Sequence, residues 1–373
     1  MKALSNNFKQ PQVSIIVLTY NNYKITLSCL DAIKKYTKNF STEIIIIDNH
    51  SKPQDFQLLK NGLKIFNNFR YQLIRLPKNM GFSKASNIGA KKALGKYLVF
   101  INNDVQVTEG WLKPLISFLN KNPNVAACQP KIRSFKQKNF FDYAGGAGGF
   151  LDMFGYPFTR GRVFDSIEKD VGQYNTNKEI TWASGACLVI NKQCFQQIKG
   201  FDEYFFAYNE EVDLCIRLRQ KGYRIYCVPK SVVFHYGAYT SNKNLAQKIY
   251  LMHHNNLYLI LKHYSLWPYF PIIFFRVCLD FAAIIYYLSQ FRINFVFSVF
   301  RAYFKMILNL PKLMRYGVIS WKGKSLLKDK SIFRGSVVIN YFLLSLKNFN
   351  QLYKVANLSN EKYKTYADIT FLK

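Results

Sequence analysis

The chain has 373 residues, of which 49% are hydrophobic and 17% aromatic, so it is not an intrinsically disordered chain. Its formal net charge is +31, from 52 Lys and Arg against 21 Asp and Glu. A positive charge of this size indicates an anionic partner, such as a nucleic acid, an acidic membrane face or a phosphorylated substrate. The sequence lacks zinc-finger spacing, an RNA-binding aromatic signature and a basic zipper. We therefore expect no nucleic-acid partner and favour an anionic membrane surface.

The cysteines and the N-terminal segment indicate the compartment. Seven cysteines are scattered without Cys-x-x-Cys spacing, and several lie in apolar runs. They predict buried free thiols in a reducing compartment. Residues 1–12 are polar and lack the apolar core of a signal peptide, so we expect the protein at the cytoplasmic side of a membrane.

From Val13 to about Ile190, apolar runs alternate with amphipathic helical patterns. This alternation predicts a mostly parallel α/β sheet with helices on both faces. The predicted strands are Val13–Leu18, Glu43–Asp48, Tyr71–Leu76, Tyr97–Ile101, Val125–Cys128 and Ala186–Ile190. The predicted helices are Lys24–Lys35, Gln54–Phe66, Ser83–Leu94 and Trp111–Leu119.

Polar clusters follow three of these strands at once, at residues 19–22, 48–51 and 102–104. Because right-handed crossovers place the carboxyl ends of parallel strands at one edge, we expect these clusters to form a site. Asp104, with the amides of Asn102 and Asn103 before it, suits a magnesium ion shared with a substrate phosphate. The alternative is an Asn/Asp turn that simply closes the strand.

A second group of polar residues begins a predicted helix. Glu210, Glu211 and Asp213 are three carboxylates in four positions, and Asp213 is one turn from Arg217, with which it is predicted to pair. That pairing leaves the two glutamates free to face a cleft, where like charge would raise the pKa of a general base. The alternative is a solvated acidic turn at a helix start. His235 follows a short strand and is either a structural histidine or a metal ligand.

The stretch from Asp142 to Arg162 is rich in glycine and aromatic residues. It lacks the Gly-Lys-Ser/Thr ending of a phosphate-binding P-loop. We interpret it as a mobile lid or acceptor loop, with an ordinary glycine-rich connector as the alternative.

The composition changes after about residue 250. Residues 267–288 are apolar except for Arg276 and Asp280, which would share one helix face and make membrane spanning costly. An apolar, aromatic stretch at residues 293–310 and a basic stretch from Lys312 to Arg334 follow. We predict a catalytic domain at residues 1–250 and a helical region at 251–373 that lies on an anionic membrane. The alternative is a helical appendage packed on the catalytic domain or on a dimer partner.

The ordered motifs between Val13 and Tyr239 resemble the family 2 glycosyltransferases, and within them the bacterial rhamnosyltransferase-like branch that builds surface polysaccharides. The motifs that carry the resemblance are Val13–Asn21, Asp48–Ser51, Asn79–Phe82, Asn102–Asp104, Gly185–Ala186, Glu210–Asp213 and His235. The resemblance implies the GT-A nucleotide-diphospho-sugar transferase fold, with a mostly parallel Rossmann-like sheet, and an inverting, metal-assisted mechanism.

The resemblance also implies the donor contacts. Asp48 would hydrogen-bond a pyrimidine base, and the remaining residues of the nucleotide pocket would be Thr19, Tyr20, Asn21, Asn49 and Ser51. The stretch that closes over the nucleotide sugar would contribute Asn79, Gly81, Phe82 and Asn87. Asn102 and Asp104 take the place of the family's Asp-x-Asp motif, with Asn103 between them.

The remaining implied roles concern the metal and the acceptor. Asp104 and His235 would bind Mg²⁺ or Mn²⁺, and Glu211 stands at the position of the catalytic base, beside Glu210. The segment near the donor sugar and acceptor would comprise Trp182, Ser184, Gly185 and Asp213. Two departures from the family pattern are Asn102 for the first Asp of Asp-x-Asp and Glu210-Glu211 for Glu-Asp, which leaves open which glutamate faces the acceptor.

The function expected from these residues is transfer of a sugar, with rhamnose as a candidate, from a UDP- or dTDP-sugar to a lipid-linked or polysaccharide acceptor. The reaction would take place at the cytoplasmic face of the inner membrane. A nucleotidyltransferase and a glycosidase explain fewer of the motifs. The surviving alternative is a catalytically inactive transferase-like protein that acts as a membrane-surface binding module.

Overall fold

The computed structural model describes residues 10–37, 40–66, 69–237, 245–319 and 325–354. The chain divides into two compact units. The first comprises Met1–Gly148 and Gly172–Thr240, and the second comprises Gly149–Val171 and Ser241–Lys373. This division differs from a boundary after residue 250, since residue 250 lies inside a helix, Leu245–His263, and Gly149–Val171 belongs with the C-terminal part.

The first unit is built on a sheet that has nine strands in the described part of the chain. Its strands are β1 (Val13–Thr19), β2 (Thr42–Asp48), β3 (Tyr71–Arg75), β4 (Tyr97–Asn102), β5 (Val105–Val107), β6 (Val125–Ser134), β11 (Lys178–Ile180), β12 (Cys187–Asn191) and β13 (Arg224–His235). The order across the sheet is β11-β13-β6-β12-β4-β1-β2-β3, with β5 paired to β13. The helices of this unit are α1 (Tyr23–Tyr36), α2 (Pro53–Gly62), α3 (Gly81–Lys92), α4 (Leu112–Lys121), α5 (Lys192–Gln197) and α6 (Glu210–Gln220).

The centre of the sheet is apolar on both faces, as the continuous apolar runs predict. Residues 97–101 of β4 are all buried, and so is most of β1. Strands β4, β1, β2 and β3 are parallel, and their register pairs Leu18 with Asn102 and Thr19 with Asp48. The polar residues that follow these strands therefore meet at one edge. All six predicted strands and all four predicted helices are present. Strand β6 runs six residues further than predicted, to Ser134, and the predicted helix Gln54–Phe66 ends at Gly62 and continues as a 3₁₀ helix from Leu63 to Phe66.

Three strands run against the predicted parallel direction. β12 is antiparallel to β4 and β6, and β5 and β11 are antiparallel to β13. Because Cys187 pairs with Ile101, the beginning of β12 lies at the edge where β4 ends. This reversal brings Ser184 and Gly185 to the same edge as Asp104.

The seven cysteines are free thiols, as predicted. Six of them are buried, and burial raises the pKa of the Cys128 thiol well above its usual range. Cys278 is exposed, contrary to the prediction of burial, because it lies on the outward face of a helix in the second unit.

The second unit contains helices α7 (Leu245–His263), α8 (Leu266–Ser289), α9 (Ile293–Arg315) and α10 (Val337–Phe342). It also contains a small antiparallel sheet of β7 (Gly149–Leu151), β8 (Pro157–Thr159), β9 (Arg162–Val163) and β10 (Ser166–Ile167). Part of the predicted lid loop is thus regular structure. Gly155 and Gly161, with φ of 78° and 100°, form its turns, and the Phe150 ring packs 4.8 Å from the Phe349 ring.

The predicted pair on α8 is present and faces inward. Arg276 Nη2 lies 3.0 Å from Asp280 Oδ1, and both residues are buried. The hydroxyls of Tyr156 and Tyr303 also donate to the Asp280 carboxylate, at 3.1 and 2.7 Å. The charged residues of α8 therefore occupy the interior of this unit rather than its outer face.

The outer faces of α8 and α9 are apolar and largely aromatic. The exposed side chains include Phe270, Phe274, Phe281, Ile285, Phe297, Phe300, Phe304 and Ile307. By length and composition alone, Tyr269–Ser289 and Ile293–Arg315 could each cross a membrane. Tyr239 and, in the predicted basic stretch, Lys322 and Lys324 lie outside the described residues.

Candidate active site

The candidate site lies in the first unit, at the edge where β1, β2 and β4 end. Thr19 closes β1, and its hydroxyl lies 2.7 Å from that of Thr26. The Asn103 amide donates to Thr26 Oγ1 at 2.9 Å. Tyr20, by contrast, is 38% exposed beside this buried cluster. The side chains of Thr19 and Asn103 therefore both contact the Thr26 hydroxyl in the interior. The Tyr20 side chain is partly exposed at the surface.

Asp48, at the end of β2, is the carboxylate predicted to contact the base. It is fully buried, and both of its oxygens accept from Ser51 N, at 3.2 and 3.4 Å. Arg75 Nε lies 3.5 Å from Asp48 Oδ2, and its guanidinium stacks 4.3 Å from the Phe56 ring centroid. Burial raises the pKa of Asp48, while Ser51 and Arg75 oppose the shift. Sequence reasoning missed Arg75, which lies at the end of the neighbouring strand β3.

Asn21 and Asn49 fix the loops around Asp48. Asn21 has a φ of 53°, and its N–H donates to Ser51 Oγ at 2.8 Å. Asn49 Nδ2 donates to Asn79 Oδ1 at 2.9 Å, and Met80 N donates back to Asn49 Oδ1 at 2.8 Å. These bonds join the end of β2 to the loop before α3.

Gly81 is required where the Asn79 loop enters α3. Its φ is 76°, and a Cβ built on it would lie 2.3 Å from the carbonyl oxygen of Phe206. The neighbouring Phe82 N donates to that same oxygen at 2.6 Å. Only glycine lets the chain approach this closely, so the loop before α3 is held against the segment that leads to Glu210 and Glu211.

Asp104 and His235 are brought together by the pairing of β5 with β13. His235 pairs with Val105, and His235 Nε2 lies 3.1 Å from Asp104 Oδ1. The other ring nitrogen, Nδ1, lies 2.7 Å from Asp142 Oδ1. All three side chains are buried. Sequence reasoning did not include Asp142 among the site residues, because it begins the glycine-rich stretch and lies 93 residues from His235.

The donor set fits a divalent cation that is shared with phosphate. Burial lowers the pKa of His235, but hydrogen bonds and charges of Asp104 and Asp142 outweigh this and raise it to about 10. Within the described ranges no group of three or more His, Cys, Asp or Glu side chains is arranged around one metal position. Without a cation, Nε2 is thus protonated and bonded to Asp104, and a cation would have to replace this proton. Asp104 and His235 Nε2 would then supply two ligands, and phosphate oxygens and water the rest, as is usual for Mg²⁺.

Glu210 and Glu211 begin α6 and have the most perturbed carboxylates of the site. Each has a buried Oε2 without a hydrogen-bond partner. Burial raises the pKa of Glu211 to about 7, and burial together with the charge of Glu211 raises that of Glu210 well above its usual range. A carboxylate such as that of Glu211, with a pKa near neutrality and one oxygen without a partner, is suited to accept a proton.

The turn before α6 has unusual backbone geometry. Tyr208 and Asn209 have φ of 71° and 67°, both in the left-handed region. Such conformations are unfavourable for residues other than glycine and persist where the surrounding structure imposes them. Here they direct the chain into α6 so that Glu210 and Glu211 are its first two residues.

The segment before β12 completes the edge. Ser184 N donates to Gln129 Oε1 at 2.9 Å, and the Ser184 hydroxyl donates to the carbonyl of Ala144. Trp182 is buried beneath it. A Cβ built on Gly185 would lie 3.6 Å from Phe82 Cζ and 4.0 Å from Glu211 Cδ. The structure therefore brings Gly185, Phe82 and Glu211 together.

Two predicted site residues are held by hydrogen bonds to other parts of the protein. The Asn87 amide donates to Phe201 O at 2.9 Å and accepts from Phe201 N at 3.0 Å, so it clamps the main chain. Asp213 is fully buried, and Arg217 Nε donates to it at 2.7 Å, which confirms the predicted pair. Asn102 is half-buried at the end of β4. Asn87 and Asp213 thus make hydrogen bonds within the protein, and their implied sugar contacts stay predictions.

The fold and the order of the motifs assign the chain to the glycosyltransferases. The sequence pattern of glycosyl transferase family 2 matches residues 14–215, more than half of the chain. The chain belongs to this family. The structure of GalNAc-T7 with UDP, GalNAc and Mn²⁺ is similar at a TM-score of 0.52 and 19% identity, over 68% of this chain and 51% of that one. The predicted GT-A fold is confirmed.

Curated relatives also include bacterial proteins of surface glycan synthesis. The O-antigen biosynthesis protein RfbC of Myxococcus xanthus is 27% identical over 61% of this chain and 17% of its own length. The N-acetylglucosaminyl-diphospho-decaprenol L-rhamnosyltransferase of Mycobacterium tuberculosis is 28% identical over 46% of this chain and 57% of its own length. The chain thus spans less than two thirds of either relative. The predicted likeness to the rhamnosyltransferase-like branch is confirmed.

Proposed function

We propose that the protein is an inverting, metal-dependent glycosyltransferase that moves a sugar from a UDP- or dTDP-sugar to a lipid-linked or polysaccharide acceptor. One observation carries this proposal. A buried carboxylate for the nucleotide base (Asp48) and a carboxylate and imidazole for a cation (Asp104 and His235) lie at one sheet edge, and Gly185 at this edge borders Glu211, whose Oε2 has no hydrogen-bond partner. A glycosidase would need no nucleotide pocket, and a binding module would need no proton acceptor.

The proposed reaction is a single displacement at the anomeric carbon. Glu211 accepts the proton of the acceptor hydroxyl as its oxygen forms the new bond, and the bond from the anomeric carbon to the diphosphate breaks on the opposite face. Asp104 and His235 would hold Mg²⁺ or Mn²⁺, which supplies positive charge to the leaving diphosphate. One displacement inverts the anomeric configuration, so one base is sufficient.

The proposed nucleotide preference rests on the family resemblance, which implies a pyrimidine base against Asp48. An ionised carboxylate accepts hydrogen bonds only, and the imide N–H of uracil or thymine is a donor that it can bind. Guanine also carries N–H donors, so the choice of a uridine or thymidine diphosphate over a guanosine diphosphate comes from the resemblance and not from the carboxylate alone. Arg75 and Ser51 N hold this carboxylate in place.

The experiment that tests this function is a calorimetric titration of the full chain with UDP, dTDP and GDP, with and without Mn²⁺. We expect Mn²⁺-dependent binding of UDP or dTDP that is lost in Asp104→Ala. Glu179→Gln is the matched control, because it also removes a paired carboxylate. Glu179 lies on the outer strand β11, and its carboxylate pairs with Arg219 of α6. Binding of GDP that equals the binding of UDP and dTDP would contradict the proposed preference for a pyrimidine nucleotide. Absence of binding for all three would favour the inactive, membrane-binding alternative.

The relatives support a choice of sugar and acceptor. One is named for transfer of L-rhamnose to N-acetylglucosaminyl-diphospho-decaprenol and another for O-antigen biosynthesis. We propose by analogy a deoxyhexose such as rhamnose and a polyprenyl-diphosphate-linked glycan. Comparison of dTDP-rhamnose with UDP-N-acetylgalactosamine as donors, by release of the free nucleotide, decides between the two donor classes.

A polyprenyl-linked acceptor requires access to a membrane. The outward faces of α8 and α9 expose aromatic side chains, while Arg276 and Asp280 are buried in their own unit. The exposed basic residues of α9, including Arg301, Lys305 and Lys312, could contact anionic headgroups. We propose that these helices bind the cytoplasmic face of the inner membrane through the apolar face and the basic residues together.

A further inference from the structure

Asp142 connects two parts of the candidate site that are distant in sequence. Its Oδ1 lies 2.7 Å from His235 Nδ1 and also accepts from Ala144 N at 2.7 Å. The residue is 5% exposed, and its own N–H donates to Ile132 O at 3.1 Å. One carboxylate oxygen is thus shared between a candidate metal ligand and a tight turn in the glycine-rich stretch.

That turn contacts Ser184, in the segment that the resemblance places near the donor sugar and the acceptor. The Ser184 hydroxyl donates to the Ala144 carbonyl and accepts from Ala186 N at 3.1 Å. Gly145 has a φ of 124°, and a Cβ built on it would lie 2.5 Å from Ser184 Cβ. The next residue, Gly185, borders Glu211. Hydrogen bonds therefore link His235 through Asp142 and Ala144 to Ser184, the residue before the glycine that borders Glu211.

We propose that Asp142 is a positioning residue that orients His235 toward the metal and fixes the Ala144 turn beneath Ser184. This proposal rests on the proposed function and deepens it. When the Nδ1–H is donated to Asp142, a cation that replaces the proton between Nε2 and Asp104 would meet the Nε2 lone pair. Such a partner fixes the ring orientation and strengthens the ligand. Asp142 would do this without touching substrate or metal itself.

A purely structural role is the competing explanation, because any buried ion pair destabilises a protein when one partner is removed. The two explanations differ in what Asp142→Asn does. Asparagine keeps an acceptor oxygen for both His235 Nδ1–H and Ala144 N–H, but it removes the negative charge. An orienting role predicts that Mn²⁺ affinity decreases in the order wild type, Asp142→Asn, Asp142→Ala, independently of stability.

The test measures Mn²⁺ affinity by the paramagnetic resonance signal of free Mn²⁺, with the full chain saturated with UDP and, separately, with dTDP. Asp142→Ala is expected to weaken Mn²⁺ binding by about 10–100-fold, the usual effect of losing such a partner. Glu179→Gln is again the control, and thermal melting is recorded for each variant. If Asp142→Ala fails to fold, Asp142→Asn carries the test, with an affinity below that of wild type.

Each outcome is decisive. Wild-type Mn²⁺ affinity in folded Asp142→Ala and Asp142→Asn would overturn the role of Asp142 and leave the proposed function standing. Absence of Mn²⁺ binding by the unaltered protein with either nucleotide would overturn the metal dependence itself. A lower melting temperature with unchanged Mn²⁺ affinity would assign Asp142 to stability alone.

Discussion

Gly185 lies directly against Glu211, and a methyl group at residue 185 would stand 4.0 Å from both Cβ and Cδ of that glutamate. The same methyl group would lie 3.6 Å from Phe82 Cζ. These are ordinary contact distances, so a methyl group would fit here without a clash. It would occupy space beside Glu211 that glycine leaves free. The relationship predicts how the site responds to small changes in volume.

Gly185→Ala is expected to fold normally and to lose activity. The added methyl group fills the space beside the base, and a displacement of about 1 Å can reduce turnover by about 100-fold. Melting temperature and initial rate of sugar transfer measure the two effects. Gly81→Ala is the contrasting variant, because its Cβ would lie 2.3 Å from a carbonyl oxygen at a φ of 76°, and it should melt at a lower temperature. A fully active Gly185→Ala would argue against an acceptor position here.

Glu211→Gln is expected to reduce turnover by about 10²–10⁴-fold, since a positioned general base contributes that much. Donor binding should be unchanged, because the glutamine amide keeps the size of the carboxylate. Turnover and calorimetric UDP or dTDP binding are measured on the same preparation. Glu210→Gln, measured in parallel, shows which glutamate is the base. Parallel losses of donor affinity and turnover in Glu211→Gln would rule out the assigned role.

The pH dependence of activity should follow the glutamate pair. Burial raises the pKa of Glu211 from 4.5 to about 7, and the base is active only when ionised. The rate is therefore expected to rise with pH through about 7 and to level off above it, with apparent pKa values that belong to the pair. Rates of the unaltered enzyme between about pH 5.5 and 8.5 test this. A rate independent of pH in that interval would contradict the prediction.

Stability should depend on pH in the opposite sense. Because the folded-state pKa of Glu211 lies above its unfolded value of 4.5, its contribution is fully present below about 4.5 and is lost as pH rises through about 7. The free energy of unfolding, measured in urea, is expected to show this decrease. Glu211→Gln should flatten it, and an identical slope in that variant would assign the dependence to other groups.

Phe274→Glu on α8 and Phe304→Glu on α9 are expected to weaken binding to vesicles that contain phosphatidylglycerol. Burying one Phe side chain contributes about 1.5–3 kcal/mol, so each change should reduce binding by at least about tenfold. Added salt should weaken binding further. Ile65→Glu is the matched control, since Ile65 is 72% exposed in the first unit. Equal binding by all four proteins would contradict the membrane face.

Asp280→Asn is expected to destabilise the second unit by about 3–5 kcal/mol, because it leaves the buried Arg276 without its counter-charge. Replacing both residues with Arg276→Met and Asp280→Leu together should be less harmful than Asp280→Asn alone. Thermal melting of the full chain measures both. If the double variant were the less stable one, the pair itself would be the stabilising element.

The sequence predicted the sheet well where strands are buried on both faces. β1, β2 and β4 are mostly apolar runs. The polar residues that follow them were sufficient to predict which edge of the sheet carries the candidate site. β5 and β7 to β11 were not predicted, because strands of two or three residues have no detectable periodicity. β13 was recognised only at Val233 and its neighbours, since Pro229 and Lys230 interrupt its apolar pattern and its register with β6 shifts between Cys227 and Val232.

The site was predicted in parts. Asp104 and His235 could be named from their positions after strands, and the structure brings them to 3.1 Å. Asp142 and Arg75 could not, because their partners come from strand pairings that a single sequence does not reveal. Asn87 and Asp213 were named from motif positions, but hydrogen bonds to Phe201 and Arg217 occupy them. The roles in binding and catalysis stay predictions.

Because Gly149–Val171 belongs with the C-terminal part, the two units cannot be separated by simple truncation. The chain passes between the units three times, so no single cut divides them. A fragment that ends at Thr240 would retain Phe150 and Phe158 but lose their ring partners Phe333 and Phe349. Truncated versions would therefore be prone to aggregation for reasons unrelated to lipid. Point substitutions in the intact chain are the safer way to determine the function of each unit.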